Sequence, residues 1–321
     1  MENYAPHYVG KGQVSLAEAS EAFRLRCQAQ NLSPLTCEWY KQILKVFGRF
    51  LDKRGVTRAR EVTPHLIRLY LEELRASGNA SGTVARTYGA VRCYFGFLSR
   101  ERLIPQNPFQ LVEKPRMEHK LVHPLTLDQA RLLLAQPKQK TFLGQRIWTI
   151  MVLILDTGLR VSEVIGLRKD KVDFQGGVLR VIGKGNKERE VPFGGIAKQA
   201  LWSYTLRCGD IPAQDLLFVS QFGGRLCRYS LGKTFRLMGK KAKIQGVRVS
   251  PHTLRHTFAT QYIKNGGDAF SLQKILGHST LDMVRVYVEL ADQDVAMLHQ
   301  RFSPIERMGL VPGSKRRVLL R

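Results

Sequence analysis

The stretch SPHTLRHTF, residues 250–258, carries two histidines and an arginine within two helical turns. His252 and His256 lie four apart, which is the helical spacing of a zinc-binding pair. His252 and Arg255 lie three apart, near a predicted helix start where free backbone N–H groups favour an anion. On this stretch alone, the plainest interpretation is one core histidine, one surface histidine and an ordinary arginine. A zinc protease is disfavoured, because Thr253 stands where a catalytic glutamate would be needed and Arg255 would repel a dication.

A second segment, DTGLRVSEVIGL, follows a predicted buried helix. Arg160 projects from the turn after that helix and needs an anionic partner or water. Glu163, three residues on, could orient Arg160 toward an anion. A purely structural salt bridge between the two is an equally good interpretation.

A third segment, VIGKGNKER, places Lys184 between two glycines at the predicted tip of a hairpin. It matches neither the Walker A pattern nor GxGxxG, so no nucleotide cofactor is indicated. Lys184 could be simply solvated. It could also enter a groove of DNA and donate a proton there.

A fourth segment, LGHSTLDMVRVYVEL, contains His278 and Tyr287. Gly277 is predicted to end one helix, and Ser279-x-x-Asp282 to cap the next. A tyrosine in such a helix is usually a packing residue, but Tyr287 is also a possible nucleophile.

The overall charge favours a polyanionic partner. Lysines and arginines number 51 against 26 acidic residues, giving a net charge of +25. Both halves are basic, with +7 up to residue 118 and +18 after it. Nucleic acid is therefore the first hypothesis, ahead of a generally basic protein or a binder of membrane surfaces.

The apolar segments are too short for a membrane span. The longest uninterrupted one runs from Trp148 to Leu155. The chain start lacks a signal-peptide pattern, and the five cysteines show no zinc-finger spacing. We expect a soluble protein of the bacterial cytoplasm or nucleoid, with reduced thiols and no membrane association.

Helical periodicity dominates the first hundred residues. It predicts four helices, opened by Ser15-Leu-Ala-Glu18, Ser33-Pro34 and Thr63-Pro64, with the last over 81–100. The predicted buried stripe of the second helix is Leu35, Trp39, Ile43, Phe47 and Phe50. Arg86 and Arg92 on the fourth helix are candidate DNA contacts, though a solvated charged face is as good an interpretation.

The segment 104–124 carries four prolines and is the predicted linker. Beyond it, helices surround one clear hairpin, in which Val178–Ile182 and Glu188–Val191 flank a glycine-rich turn. This half is predicted to be mixed α and β, and mostly α.

Taken in order, the candidate residues form a highly specific set: Arg160, Lys184, His252-x-x-Arg255, Gly277-His278 and Tyr287. With these residues, the boxes TGLRVSE, VIGKGNKER, SPHTLRHTFAT and LGHS resemble the tyrosine site-specific recombinases of the phage-integrase group. Within that group, the chain is most similar to compact Xer-type bacterial and transposon-borne members.

The resemblance implies a mainly α fold with a small antiparallel sheet. Residues 1–113 would form a helical, SAM-like core-binding domain that contacts DNA. Residues 114–303 would form the mixed catalytic domain, and 304–321 a basic tail.

The resemblance also implies a reaction. Tyr287 would attack a DNA phosphodiester and form a 3′-phosphotyrosine, with Arg160 and Arg255 stabilising the doubly charged transition state. Lys184 would protonate the departing 5′-oxygen, and His278 would hydrogen-bond the phosphate. His252 would act as the base or as another phosphate contact. Strand exchange would then proceed through a Holliday junction.

No metal and no other cofactor is implied, and Glu163 would hold the arginines in place. The implied partners are double-stranded DNA and three further copies, giving a homotetramer on paired sites. A sister recombinase or an accessory DNA-bending protein is a further possible partner.

Three alternatives remain at this point. The first is a DNA-binding regulator without catalysis. The second is a topoisomerase or telomere resolvase with related chemistry. A metalloenzyme comes last.

Overall fold

The protein, taken here as a computed structural model, divides into two compact units, Met1–Lys120 and Leu121–Arg321. The structure describes residues 14–117, 123–183, 188–208, 215–291, 299 and 302–308. Within these ranges, no helix combines the length and apolarity needed to cross a bilayer.

The first unit is a bundle of four helices. They are α1 (Leu16–Ala29), α2 (Pro34–Asp52), α3 (Pro64–Ala76) and α4 (Ser81–Arg100). The predicted caps are present. Ser15 and Glu18 form a capping box, while Ser33 and Thr63 each accept a backbone N–H three residues on. Short 3₁₀ turns follow at Ala59–Glu61 and Pro108–Leu111.

Aromatic rings fill the core of this bundle. Phe47 meets Phe95 edge to face, with ring centroids 6.1 Å apart, and Phe23 meets Tyr94 in the same way at 5.5 Å. Such offset and edge contacts let large rings pack at crystal density without a repulsive face-to-face stack.

The predicted stripe of α2 is wrong at its start. Leu35 is 80% exposed and Trp39 37% exposed, whereas Phe47 and Phe50 are buried as predicted. Counting back from Phe47 in steps of three and four reaches Leu44 and Tyr40. The core-facing row therefore passes one residue beside Trp39, about 100° around the helix.

The first part of the predicted linker also packs into this bundle. Ile104, Phe109 and Val112 are buried, and the Tyr88 hydroxyl donates to the Val112 carbonyl at 2.8 Å. Helix α4 ends at Arg100, but the apolar residues that follow it still reach the core.

The second unit wraps helices around a small sheet. Its helices are α5 (Leu127–Leu134), α6 (Phe142–Thr157), α7 (Val161–Ile165), α8 (Gly195–Cys208), α9 (Arg228–Lys241), α10 (Pro251–Lys264), α11 (Ala269–Leu276) and α12 (Asp282–Ala291), with a further helical turn at Pro304–Arg307. Its strands are β1 (Val172–Asp173), β2 (Val178–Ile182) and β3 (Glu188–Pro192).

The sheet has the order β1-β2-β3, and both pairs are antiparallel. The predicted hairpin is confirmed, with Leu179 opposite Val191 on its buried face. Helix α6 is buried nearly all round and packs against α8 and α10, so it forms the centre of this unit. The predicted fold class, mainly α with a small antiparallel sheet, is confirmed.

Candidate active site

Two glycines end the helices that border the site. Gly158 ends α6 with φ +65°, and Gly277 ends α11 with φ +63°. A side chain at Gly158 would collide with the ring of Phe258, and one at Gly277 would press on the Arg189 guanidinium. Only glycine combines this left-handed backbone with the close approach of neighbouring groups.

Arg255 lies between these two turns. It lies in the second turn of α10 and is only 3% exposed, although it is an arginine. Its Nη1 donates to the Gly158 carbonyl at 2.5 Å and its Nη2 to the Leu276 carbonyl at 3.0 Å. Burial, followed by the neighbouring Arg160, lowers the pKa of Arg255 to about 10, so the group remains charged at neutral pH.

Arg160 projects from the first turn of α7 into the same region. Its Nη1 donates to Glu163 at 3.0 Å, and its Nη2 to the Gly277 carbonyl at 3.4 Å. Its side chain remains one-third exposed. One guanidinium of the pair is therefore buried and the other reaches solvent, so an anion could approach both from the open side.

Glu163 joins the arginines, as the sequence suggested, and a further arginine takes part. Arg189 donates to both carboxylate oxygens of Glu163, at 2.9 and 3.0 Å, and its Nε donates to the Ile275 carbonyl. Burial alone would raise the pKa of Glu163, but the hydrogen bonds and charge of Arg189, together with Arg160, hold it below its ordinary value. Glu163 thus stays ionised between two guanidinium groups.

The contact of Arg189 with Glu163 was not predicted from the sequence. The signal was present in β3, where Arg189 and Val191 alternate with exposed residues and so share the buried face. Only the tertiary structure shows that this face meets a carboxylate 26 residues earlier.

His278 lies directly against Arg255, with its Nε2 2.9 Å from the Arg255 Nη2. Because a guanidinium only donates, Nε2 must carry the lone pair and Nδ1 the proton. That Nδ1 is buried and has no hydrogen-bond partner among the described residues. Burial, followed by the surrounding arginines, lowers the pKa of His278 to about 4, so the ring is neutral.

Tyr287 on α12 is 4% exposed, and its ring contacts two histidines. It lies nearly parallel to His278, with centroids 6.3 Å apart, and 5.3 Å from His256. Burial raises the pKa of Tyr287, while the charges of Arg255 and Arg160 act in the opposite direction. The phenol is therefore within the electrostatic range of both guanidinium groups.

His252 lies at the exposed side of this group, in the first turn of α10. The cap and the proline predicted for this helix are present, because Ser250 accepts the Thr253 N–H and Pro251 occupies the first turn. His252 Nε2 is 3.0 Å from His256 Nε2. Burial, then Arg255, Arg160 and Arg228, lower the pKa of His252.

The helix that carries Tyr287 begins later than predicted. Helix α12 starts at Asp282, and Leu281 accepts the first backbone hydrogen bonds, from Val284 and Arg285. Ser279 therefore does not cap it, because the turn after Gly277 uses three residues before the helix can start.

Lys184 lies outside the described residues, which omit 184–187. The strands on either side are described, and Arg189 connects the second of them to Glu163. Arg86 and Arg92 are exposed on α4 in the other unit. The structure thus brings Arg160, Glu163, Arg255, His252, His278 and Tyr287 together in one site.

Both units match known families. Residues 123–294 match the phage integrase family, and residues 27–102 match the phage integrase N-terminal SAM-like domain. The chain is 32% identical to tyrosine recombinase XerC of Anoxybacillus flavithermus, over 86% of this chain and 93% of that protein. It is also 32% identical to tyrosine recombinase XerD of Halalkalibacterium halodurans, with the same coverage of both chains.

Among solved structures, the fold is similar to that of the Tn1549 transposon integrase in complex with a circular intermediate DNA. The TM-score is 0.72 at 20% identity, over 92% of this chain and all of that one. Fold and relatives together define a tyrosine-type site-specific recombinase. The chain belongs to the phage integrase family.

Proposed function

We propose that this recombinase cuts double-stranded DNA through a covalent 3′-phosphotyrosine at Tyr287 and rejoins it to a second duplex through a Holliday junction. The observation that carries the proposal is the buried phenol of Tyr287, whose ring lies 6.3 Å from the ring of His278, the histidine that contacts Arg255 at 2.9 Å. The net charge of +25 supports a polyanionic substrate. A similar fold, that of the Tn1549 integrase, was solved with DNA bound.

The chemistry follows from charge. When Tyr287 Oη bonds to phosphorus and the P–O5′ bond breaks, the non-bridging oxygens gain a second negative charge. Arg255 and Arg160 stabilise that charge, and such preorganised donors are worth roughly a hundred- to a thousandfold in rate each. Glu163 neutralises part of the repulsion between Arg160 and Arg189, which keeps the site assembled before DNA arrives.

Two protons must move in the same step. Lys184, which follows β2 in the sequence, protonates the departing 5′-oxygen. The phenolic proton of Tyr287 leaves either to His252 or to solvent water at the exposed side of the site. His278 offers the phosphate its remaining ring N–H. The reaction needs no external energy source, because a phosphodiester is exchanged for a phosphotyrosine and then for another phosphodiester.

The site also bears on assembly. The Tyr287 ring lies 6.3 Å from the ring of His278, which contacts Arg255 of the same chain, and this supports a nucleophile supplied by each chain to its own site. Exchanging two duplexes requires four strand cleavages, and we therefore propose a homotetramer on paired sites. A sister recombinase could supply half of the subunits, and an accessory DNA-bending protein could bring the sites together.

The segment 294–310 is the proposed contact between neighbouring subunits. The sequence of this segment predicts an apolar face of Val295, Leu298 and Phe302. Val295 and Leu298 lie outside the described residues, whereas Phe302 is 54% exposed. Truncation after Leu290 is expected to preserve DNA binding and to abolish cooperative assembly in a gel-shift titration. Unchanged cooperativity would exclude this segment.

A covalent trapping experiment tests the catalytic proposal. A pool of nicked duplexes from the source genome should trap the wild-type protein as an adduct that survives denaturing electrophoresis, and digestion should locate a phosphotyrosine at 287. Tyr287→Phe should form none. Tyr262→Phe is the matched control, because Tyr262 is a half-buried tyrosine whose hydroxyl contacts Ser271.

The other outcomes identify the alternatives. DNA binding without any adduct would indicate a regulator. An adduct followed by relaxation of supercoils or by hairpin formation, without strand exchange, would indicate a topoisomerase or telomere resolvase. Loss of the adduct on adding EDTA would indicate a metalloenzyme.

A further inference from the structure

His256 contacts both His252 and Tyr287, although it does not belong to the predicted catalytic set. Its Nε2 lies 3.0 Å from the Nε2 of His252, and the two rings are perpendicular, with centroids 4.5 Å apart. Its other side faces the ring of Tyr287 at 5.3 Å. The helical spacing of four, which first suggested a zinc pair, here produces a direct hydrogen bond between imidazoles.

Both imidazoles are neutral at physiological pH. Burial, followed by His252 and Arg255, lowers the pKa of His256 to about 4. Burial and nearby arginines lower the pKa of His252 as well. A neutral imidazole has one N–H and one lone pair, so one ring donates through Nε2 and the other accepts.

The remaining nitrogen of His256 decides the direction of this hydrogen bond. Its Nδ1 is buried and has no hydrogen-bond partner among the described residues. If His256 accepted at Nε2, that buried atom would be an N–H donor without an acceptor. If His256 donates, the buried atom is a lone pair. Buried donors without partners are rarer in proteins than acceptors that lack one. His278 must accept because its Nε2 faces a guanidinium, but His256 Nε2 faces another imidazole and is free to donate, so donation by His256 is favoured.

The substrate favours the same direction. With its Nε2 occupied by His256, His252 has only Nδ1 left to face a bound phosphate. A lone pair at that position would repel an anionic oxygen, whereas an N–H would bind it.

We propose that His256 is a positioning residue that donates its Nε2–H to His252 and thereby holds the His252 proton on Nδ1. His252 then meets the scissile phosphate as a hydrogen-bond donor and does not deprotonate Tyr287. This inference rests on the proposed phosphotyrosine reaction. It gives the phenolic proton to solvent water, with the phenolate stabilised by Arg160 and Arg255.

The tautomer can be measured on the full-length protein without DNA. In protein labelled with ¹⁵N at the histidine rings, chemical shifts report which nitrogen carries the proton. We expect His252 to be protonated at Nδ1, and this preference to be lost in His256→Phe, which keeps a ring against Tyr287 but removes the donor. A wild-type His252 protonated at Nε2 would overturn the proposal.

Single-turnover cleavage of a nicked substrate provides the second readout. His256→Phe should slow cleavage about tenfold, the value of one hydrogen bond, with DNA affinity unchanged. His256→Gln, whose amide can donate to His252, should restore most of the rate. If glutamine is no better than phenylalanine, or if phenylalanine costs nothing, His256 does not act through His252.

The two readouts separate this inference from the function on which it rests. Absence of an adduct in the wild-type protein would refute the phosphotyrosine reaction while leaving the tautomer measurement valid. An adduct of wild type, lost in Tyr287→Phe, combined with the wrong tautomer would refute only the role of His256.

Discussion

The two units bury different kinds of side chain. In the first unit the core is apolar and aromatic, and Thr87 is its only buried residue of polar or charged type among those described. The second unit buries Arg255, Glu163 and Arg146 in addition to several threonines. Buried charge costs stability unless it is paired, and proteins retain it mainly where function requires it.

The difference indicates which part of each unit would contact DNA. The helical bundle has a conventional interior, so its contacts with DNA are expected to come from exposed basic side chains. The second unit buries Arg255, Glu163 and Tyr287, and the lower dielectric there would strengthen their electrostatic effect on an incoming phosphate. The buried Nδ1–H of His278, which has no partner among the described residues, is expected to bind the phosphate.

The largest effect is expected from changing a buried arginine of the second unit, which tests whether buried charge there serves the reaction. Arg255→Lys keeps the charge but removes the fork that contacts two carbonyls and His278. We expect single-turnover cleavage to fall roughly a hundred- to a thousandfold, measured as the rate of adduct formation on a nicked duplex.

Arg146→Lys is the matched control. Arg146 is also buried in this unit, but its guanidinium donates to the Val219 carbonyl away from the site. This substitution should lower the unfolding midpoint and leave the cleavage rate of the folded protein nearly unchanged. Equal losses of rate in the two variants would mean that buried arginines here serve the fold alone.

The local parts of this picture could be predicted from the sequence, and the long-range parts could not. Ser250 and Pro251 at the start of α10 and the glycines at 158 and 277 follow from rules that act within a few residues. The order of catalytic residue types was specific enough to reveal the family. The paired hydrogen bonds from Arg189 to Glu163 depend on how β3 packs against α7, so no local sequence pattern predicts them.

The exposed start of α2 shows that a local pattern also does not define which face of a helix is buried. The apolar spacing of Leu35 and Trp39 fits a helix, but the spacing does not say which face meets the bundle. The face that a helix buries depends on the helices packed against it, which for α2 are α1 and α4.

A second prediction concerns Glu163, whose side chain is 4% exposed and bound to Arg160 and Arg189. Glu163→Gln leaves two guanidinium groups without a counter-charge and should cost about 3 kcal/mol of unfolding free energy. Because its pKa is lowered in the folded state, Glu163 stabilises the fold above its ordinary pKa. That contribution is lost as pH falls below the ordinary glutamate pKa of about 4 and through the lower pKa of the folded state.

Urea unfolding at a series of pH values measures both effects. The wild type should lose stability below about pH 4 more steeply than Glu163→Gln, since the variant has no such carboxylate to protonate. Glu190→Gln, which removes an exposed partner of Arg180 on the same hairpin, should change little. Parallel pH profiles for wild type and Glu163→Gln would show that Glu163 is not held ionised by the arginines.

The smallest expected effects lie on the surface of the first unit. Arg86 and Arg92 are exposed on α4, and each is expected to contact one DNA phosphate. Replacing either by glutamine should lower the salt slope of DNA binding by about 1. The loss of affinity between 50 and 200 mM salt should then shrink about three- to fourfold for each contact removed. Fluorescence anisotropy with a labelled duplex at four salt concentrations measures the slope.

Arg24→Gln provides the control for these two variants. Arg24 is also exposed in the first unit, but its guanidinium is held by Glu21 on α1 and is therefore already paired. Its removal should leave the salt slope unchanged. If Arg24→Gln lowers the slope as much as Arg86→Gln does, the bundle attracts DNA through its net charge and not through one helix face. The first unit would then have no specific DNA-binding face, and the two units would differ only in the side chains that they bury.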